Sequence, residues 1–237
     1  MFEKETAITE ILGKLRSMRN PEAIKGMARY GINTNDNYGV SVHKLREMAK
    51  EIGTDHELAL QLWTSGIHDA KMLASMIDDP KAVTDRQMDM WARDFDSWDV
   101  CDQTCNNLFS KTPFAYRKAK EWSTGKGEFV KRAGFVLMAN LAVHDKKADN
   151  AEFIRFLNIV ESGAEDERNY ARKAVSWALR QIGKRSPDLN SAATETANRL
   201  LSGGSRSERW IASDALKEFR SQKTRRMILR RQKKGGR

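Results

Sequence analysis

Apolar residues recur along this chain at three- and four-residue intervals and almost never alternate with polar ones, so the pattern predicts helix nearly throughout and no convincing strand. Val40, Leu45, Met48 and Ile52 form one such face, and Leu58, Leu60, Leu62 and Trp63 form the next. The breaks between faces carry helix-start chemistry. All four prolines follow a residue that caps helices well, at Asn20-Pro21, Asp79-Pro80, Thr112-Pro113 and Ser186-Pro187. Each pair is read as a helix start, with proline in the first turn where its missing N–H costs nothing. Thr84-Asp85-Arg86-Gln87 fits a capping box, and Gly203-Gly204-Ser205 reads as one helix ending and another beginning.

Helices of roughly 10 to 17 residues, separated by short polar turns, leave room for about six helical hairpins between residues 1 and 220. Consecutive antiparallel hairpins most simply stack side by side. The expected architecture is all-α: an α-solenoid of HEAT-like helix pairs forming a single domain over residues 1–220, with a concave face built from the second helix of each pair. A compact orthogonal helical bundle is the alternative.

Charge changes the picture at one end only. Of the 42 Lys and Arg, ten lie between Lys217 and Arg237 against a single acid, Glu218, so the net charge of +10 belongs almost entirely to this segment. Residues 221–237 read as a basic extension suited to a polyanion, with an end that Gly235-Gly236 would fray. The alternative is a solvated basic terminus without a partner. No apolar run approaches the roughly 20 residues that span a bilayer, so no membrane association is expected. Acids at Glu3 and Glu5 sit where an export signal would be basic and then apolar, so a cytoplasmic location is expected. Cys101 and Cys105, the only cysteines, lack the flanking pair of a structural zinc site and are read as small buried hydrophobes. The four histidines, His43, His56, His68 and His144, form no ligand spacing. No metal and no cofactor is expected.

The candidate chemistry begins at Ser97-Trp98-Asp99-Val100-Cys101-Asp102, which on a helix places the Trp98 indole and the Asp102 carboxylate one turn apart on the same face. An aromatic wall beside a carboxylate stabilises a cation such as an oxocarbenium-like sugar, and the carboxylate can orient water. The same spacing also suits a core tryptophan beside a solvated or capping acid. Lys131-Arg132 sits in an otherwise apolar helix, Glu128 to Met138, where two adjacent cations are either functional or the exposed start of a buried helix. Trp177 lies among Arg172, Lys173, Arg180, Lys184 and Arg185, a basic stripe around an aromatic that fits a backbone-tracking nucleic-acid surface or a core tryptophan with a solvated flank. Tyr30 stands at a helix end.

Taken with Met27-Ala28-Arg29-Tyr30-Gly31, Gly39-Val40-Ser41-Val42, Leu45-Arg46 and Lys173-Ala174-Val175-Ser176-Trp177-Ala178-Leu179-Arg180, these segments resemble the DNA alkylation repair glycosylases, HEAT-like repeat enzymes that excise alkylated purines. The resemblance runs to about residue 220, and rests on the order and register of the segments together. It implies a concave DNA-binding face and a monofunctional glycosylase of base excision repair, acting as a monomer on double-stranded DNA that contains cationic N3- or N7-alkylated purines. It places the family's catalytic aspartate on Asp102, its two flanking tryptophans on Trp98 and Trp177, the phosphate-holding arginine on Arg132 and a contacting tyrosine on Tyr30. Lys131, Arg172, Lys173, Arg180, Lys184 and Arg185 are the accompanying candidates for backbone contact. His43 stands where relatives are expected to carry proline, and the basic extension has no counterpart in the resemblance. Two competing classes remain: a family member that binds damaged or branched DNA without catalysis and, after it, a scaffold that binds protein.

Overall fold

The computed structural model describes residues 2–235, with side chains described over residues 7–230. Among these residues the chain forms α-helices joined by turns, with no strand, and it divides between Pro113 and Phe114 into two compact units.

The first unit holds α1 (Phe2–Ser17), α2 (Pro21–Arg29), α3 (Val42–Ile52), α4 (His56–Thr64), α5 (His68–Ile77), α6 (Asp85–Arg93) and α7 (Trp98–Asn107), followed by a 3₁₀ turn at Phe109–Lys111. Helix α5 is its centre. It packs against α3, α4 and α7, and buries residues on every side, from Ala70, Met72 and Leu73 to the polar His68, Asp69 and Ser75. A helix buried all round needs partners for its polar groups, and Asp69 finds them in the long loop after α2: its carboxylate accepts from the backbone N–H of Tyr38 at 2.6 Å and of Val40 at 2.8 Å. The loop turns at Gly39, whose φ of +70° and contact distance of 2.8 Å between a would-be Cβ and the Asn20 carbonyl leave no room for a side chain. Trp63 and Trp91 stack at 3.9 Å beside Phe95 and Phe109 to close the apolar interior.

The second unit holds α8 (Ala115–Ser123), α9 (Glu128–His144), α10 (Asn150–Gly163), α11 (Asn169–Gly183), α12 (Pro187–Leu201), α13 (Arg206–Arg220) and α14 (Gln222–Gly235). Its packing is a ladder. Helices α9, α11 and α13 follow one another in one row, α8, α10, α12 and α14 in the other, and each helix of one row packs against its chain neighbours in the other. This is the helix-pair stacking expected of HEAT-like repeats. Helix α9 is the interior rail, buried from Arg132 to Ala142 without a break. Its Gly134 lets α8 approach so closely that a Cβ there would lie 2.5 Å from the Ser123 backbone nitrogen.

Two of the four proline signals mark helix starts. Asn20 caps α2 by accepting from the Ala23 N–H, and Ser186 caps α12 by accepting from the Leu189 N–H. Asp79-Pro80 instead opens an isolated turn, in which the Asp79 carboxylate accepts from the Lys81 N–H, and the helix waits for Thr84, whose hydroxyl accepts from the Gln87 N–H. Only half of a capping box forms there, because the Gln87 amide donates to the buried Asp78 carboxylate at 2.7 Å instead of returning to the cap. At Thr112-Pro113 the Thr112 hydroxyl donates back to the Phe109 carbonyl, and α8 starts two residues after the proline. The complete capping box lies at Ser205 and Glu208, directly after Gly203-Gly204. The extension expected to fray is helical over Gln222–Gly235, and Gly236 lies outside the described residues.

Candidate functional site

The residues singled out in the sequence fall into two sets, Tyr30, Trp98 and Asp102 in the first unit and the rest in the second.

In the first set, the start of α7 is held by a dense polar network. Asp99, in the first turn, is buried and ties the start of α7 to α5: one carboxylate oxygen accepts from the Ser97 hydroxyl at 2.6 Å and from the Val100 N–H at 2.9 Å, and the other lies 3.0 Å from Nε2 of the buried His68. A carboxylate offers no proton, so Nε2 carries it. Burial alone would push His68 down and Asp99 up, but the contact between them reverses both: His68 is raised above its ordinary value of 6.5, and Asp99 is lowered below 3.8. The Ser97 hydroxyl in turn accepts from the Asn33 N–H, and the Asn33 amide donates to Asp96 at 2.7 Å. This pins the segment after α2 against α7, and the Trp98 indole N–H donates to the Tyr30 carbonyl at 3.0 Å.

Asp99, Val100 and Cys101 therefore face inward, while Trp98 and Asp102, one turn apart, are both half-buried. Cys105 is buried beside them. Tyr30 is 74% exposed at the C-cap of α2, and its carbonyl fixes the edge of the indole. A half-exposed aromatic face and a carboxylate on the same side of one rigid helix suit a cation that is brought to the surface.

In the second set, Arg132 is buried and donates to the Tyr170 carbonyl at 2.8 Å, while Glu128, one turn earlier on α9, accepts from the Tyr170 N–H at 2.8 Å. The first turn of α9 is thus stitched to the first turn of α11, and Arg132 is not the exposed helix start that its sequence neighbourhood also allowed. Lys131 pairs with Asp166 at 3.0 Å. Arg168 first, and Lys131 after it, hold the Asp166 carboxyl well below the usual carboxylate range despite burial. Trp177 is half-buried on α11, with its indole nitrogen 2.9 Å from the Gln181 amide oxygen once that amide is turned to accept.

The stripe around Trp177 is less available than its composition suggests. Arg180 pairs with Asp214 at 3.2 Å and Glu218 at 2.8 Å, and Lys184 pairs with Glu218 at 2.5 Å. Arg185 donates to the carbonyls of Ala142 and Ala148 and lies over the Phe153 ring at 4.2 Å. Arg172 stacks over Trp210 at 4.7 Å, and Lys173 is exposed. Of the cations expected on this stripe, Lys173 keeps an exposed head, while Arg180, Lys184 and Arg185 serve the packing of α11 on its neighbours.

Sequence reasoning passed over His68, Asp99 and Trp210. Nothing local marks His68 and Asp99 as partners, since 31 residues separate them, and Trp210 reads as one more apolar position of α13. Among the described residues no group of three His, Cys, Asp or Glu side chains is gathered as for a metal ion, and no helix is long and apolar enough to cross a membrane.

Comparison with known proteins covers most of the chain. The model of the family described as DNA alkylation repair enzyme matches residues 11–219. The uncharacterized proteins Lin0241 of Listeria innocua and Lmo0209 of Listeria monocytogenes are each 24% identical over 188 residues, covering 78% of this chain and 82% of theirs. A solved structure described as a new family of proteins related to the HEAT-like repeat DNA glycosylases, with affinity for branched DNA structures, superposes with a TM-score of 0.73 at 21% identity, over 81% of this chain and 82% of that one. The fold is shared at that level.

Proposed function

The chain belongs to the DNA alkylation repair enzyme family, and from that premise we propose that it is a monofunctional DNA glycosylase that releases cationic N3- and N7-alkylated purines, such as 3-methyladenine and 7-methylguanine, from duplex DNA. The carrying observation is the half-exposed pair of Trp98 and Asp102 on a helix start locked by Asp99 and His68. Alkylation at N3 or N7 gives the base a formal positive charge, so it leaves with the C1′–N bond electrons and needs no general acid. What remains is to stabilise the sugar cation and deliver water. Asp102 supplies the negative charge and accepts the proton that water loses as its oxygen bonds to C1′, while the Trp98 face shields and stabilises the cation. Tyr30 supports Trp98 through its carbonyl and offers its exposed ring to the strand. Trp177 and Arg132 are assigned the flanking and phosphate-holding roles by family position, with Arg132 acting from a buried site. This reading makes the protein a cytoplasmic, monomeric component of base excision repair.

The test is release of free base from duplex DNA carrying one 7-methylguanine under single-turnover conditions. Wild type should release it and Asp102→Asn should be slower by orders of magnitude at similar DNA affinity; equal rates would remove Asp102 from the mechanism. A second reading, binding of branched or damaged DNA without catalysis, draws support from the description of the solved neighbour. Tight, salt-sensitive binding without base release by either protein would establish it.

A further inference from the structure

We propose that α14, which lies outside the family match, forms with the adjoining end of α13 a preformed grip for the phosphate backbone of duplex DNA, independent of any lesion. This rests on the reading that the partner is DNA. The family match ends at residue 219, and α14 begins at Gln222.

Helix α14 has two faces. Thr224 and Ile228, one turn apart, are buried, and the helix packs against α12 and α13. Lys223, Arg226 and Arg230, at helical spacing i, i+3, i+7, form a stripe on the opposite side, and all are exposed. Arg225 is exposed on another flank of the helix, and Lys217 and Arg220 at the end of α13 continue the charge into a cleft of 440 Å³ that Ser213, Leu216 and Ser221 also line.

This charge is uncompensated in a way that the α11 stripe is not. The one acid between residues 217 and 237 is Glu218, and it faces α11, where Arg180 and Lys184 engage it. Among the described residues none of Lys217, Arg220, Lys223, Arg225, Arg226 and Arg230 lies in an ion pair. A bound polyanion would therefore release its counterions here without first breaking a protein salt bridge. The stripe from Lys223 to Arg230 runs about 10 Å at the helical rise, and a duplex presents one phosphate per strand about every 3.4 Å of axis, so three successive phosphates lie within its reach. The apolar residues argue against an anionic membrane as the partner. An interfacial helix turns an apolar face outward, whereas Thr224 and Ile228 face the protein and Leu229 is the only large hydrophobe exposed on this helix among the described residues.

The experiment uses the full chain and an unmodified duplex, with affinity measured by fluorescence anisotropy between 50 and 300 mM salt. In Lys223→Gln, Arg225→Gln, Arg226→Gln and Arg230→Gln combined, the logarithmic salt slope should fall by about two or more, at roughly 0.9 for each phosphate no longer neutralised, with unchanged helicity and melting temperature. In Arg199→Gln, where the lost cation is one already paired with Glu161, the slope should not move. Ile228→Asn, which keeps every cation but undocks the helix, should also weaken binding; binding as tight as wild type would overturn a preformed grip. A slope unchanged in the quadruple variant, while wild type binds duplex, would overturn the α14 proposal and leave the glycosylase reading intact. Failure of wild type to bind any duplex would instead sink the DNA reading itself, and binding to phosphatidylserine vesicles in its place would assign α14 to a membrane.

Discussion

Single side chains decide what the start of α7 can do. His68 and Asp99 stabilise the fold as a charged pair, and the direction of their shifts fixes when. His68 is raised, so its contribution is complete below its ordinary 6.5 and is lost as pH climbs through its higher folded value; Asp99 is lowered, so its contribution is complete above 3.8 and is lost as pH falls through its lower folded value. The stability gap between wild type and His68→Gln, measured by chemical denaturation from pH 4 to 9, should be widest near pH 4.5 to 6.5 and narrow on the alkaline side. A gap that widens above pH 7 would contradict the pair. Arg132→Ala should cost about 1–3 kcal/mol in the same assay, because it leaves the Tyr170 carbonyl without that donor and a hole in a packed helix. Trp98 and Asp102 are legible in the sequence because their relation is local, one turn of one helix. His68 with Asp99, and Arg180 with Glu218, are not, because each pair joins helices 31 to 38 residues apart in the chain and charge counting cannot see which cation has found an acid.

Elements were legible where their ends carry self-sufficient chemistry. Asn20-Pro21, Ser186-Pro187 and Gly203-Gly204-Ser205 contain a cap, a stop or both, and the helices start where these residues stand. Asp79-Pro80 and Thr112-Pro113 hold equally good residues that serve turns instead, since a stronger start lies a few residues on at Thr84, and Thr112 closes the 3₁₀ turn. Helix packing is harder to read than helix ends. Gly134 sits mid-helix, where glycine is ordinarily a liability, and only the Ser123 backbone at 2.5 Å from a would-be Cβ explains it. Gly134→Ala should therefore destabilise by about 1–3 kcal/mol through overpacking, despite alanine's better helix propensity, as a melting curve would show. A neutral or stabilising result would mean that α8 can slide.

At the scale of the molecule, the all-α reading and the stacking of helix pairs came through because apolar periodicity reports which elements exist and short turns force neighbours to pack. The sequence placed the accessible positive charge on both α11 and the C-terminal extension; the ion pairs of α11 leave the extension as the larger exposed share. Residues 221–237 removed together should lower affinity for lesion-bearing and unmodified duplex by the same factor; a lesion-selective loss in a paired titration would give the segment a part in recognition.

The ladder of the second unit gives that truncation a second effect. Each helix there touches only near neighbours, so stability propagates rung by rung and the final rung must shield what lies beneath it. Helix α14 is that rung, resting on α12 and α13 with Thr224 and Ile228 turned inward. Cutting it away would uncover the last pair, and hydrogen exchange would be expected to quicken first in α13, then in α12, long before α9 loosened. The terminal helix is thus also a lid on the stack, and its cations stand on the part that shields the last helix pair.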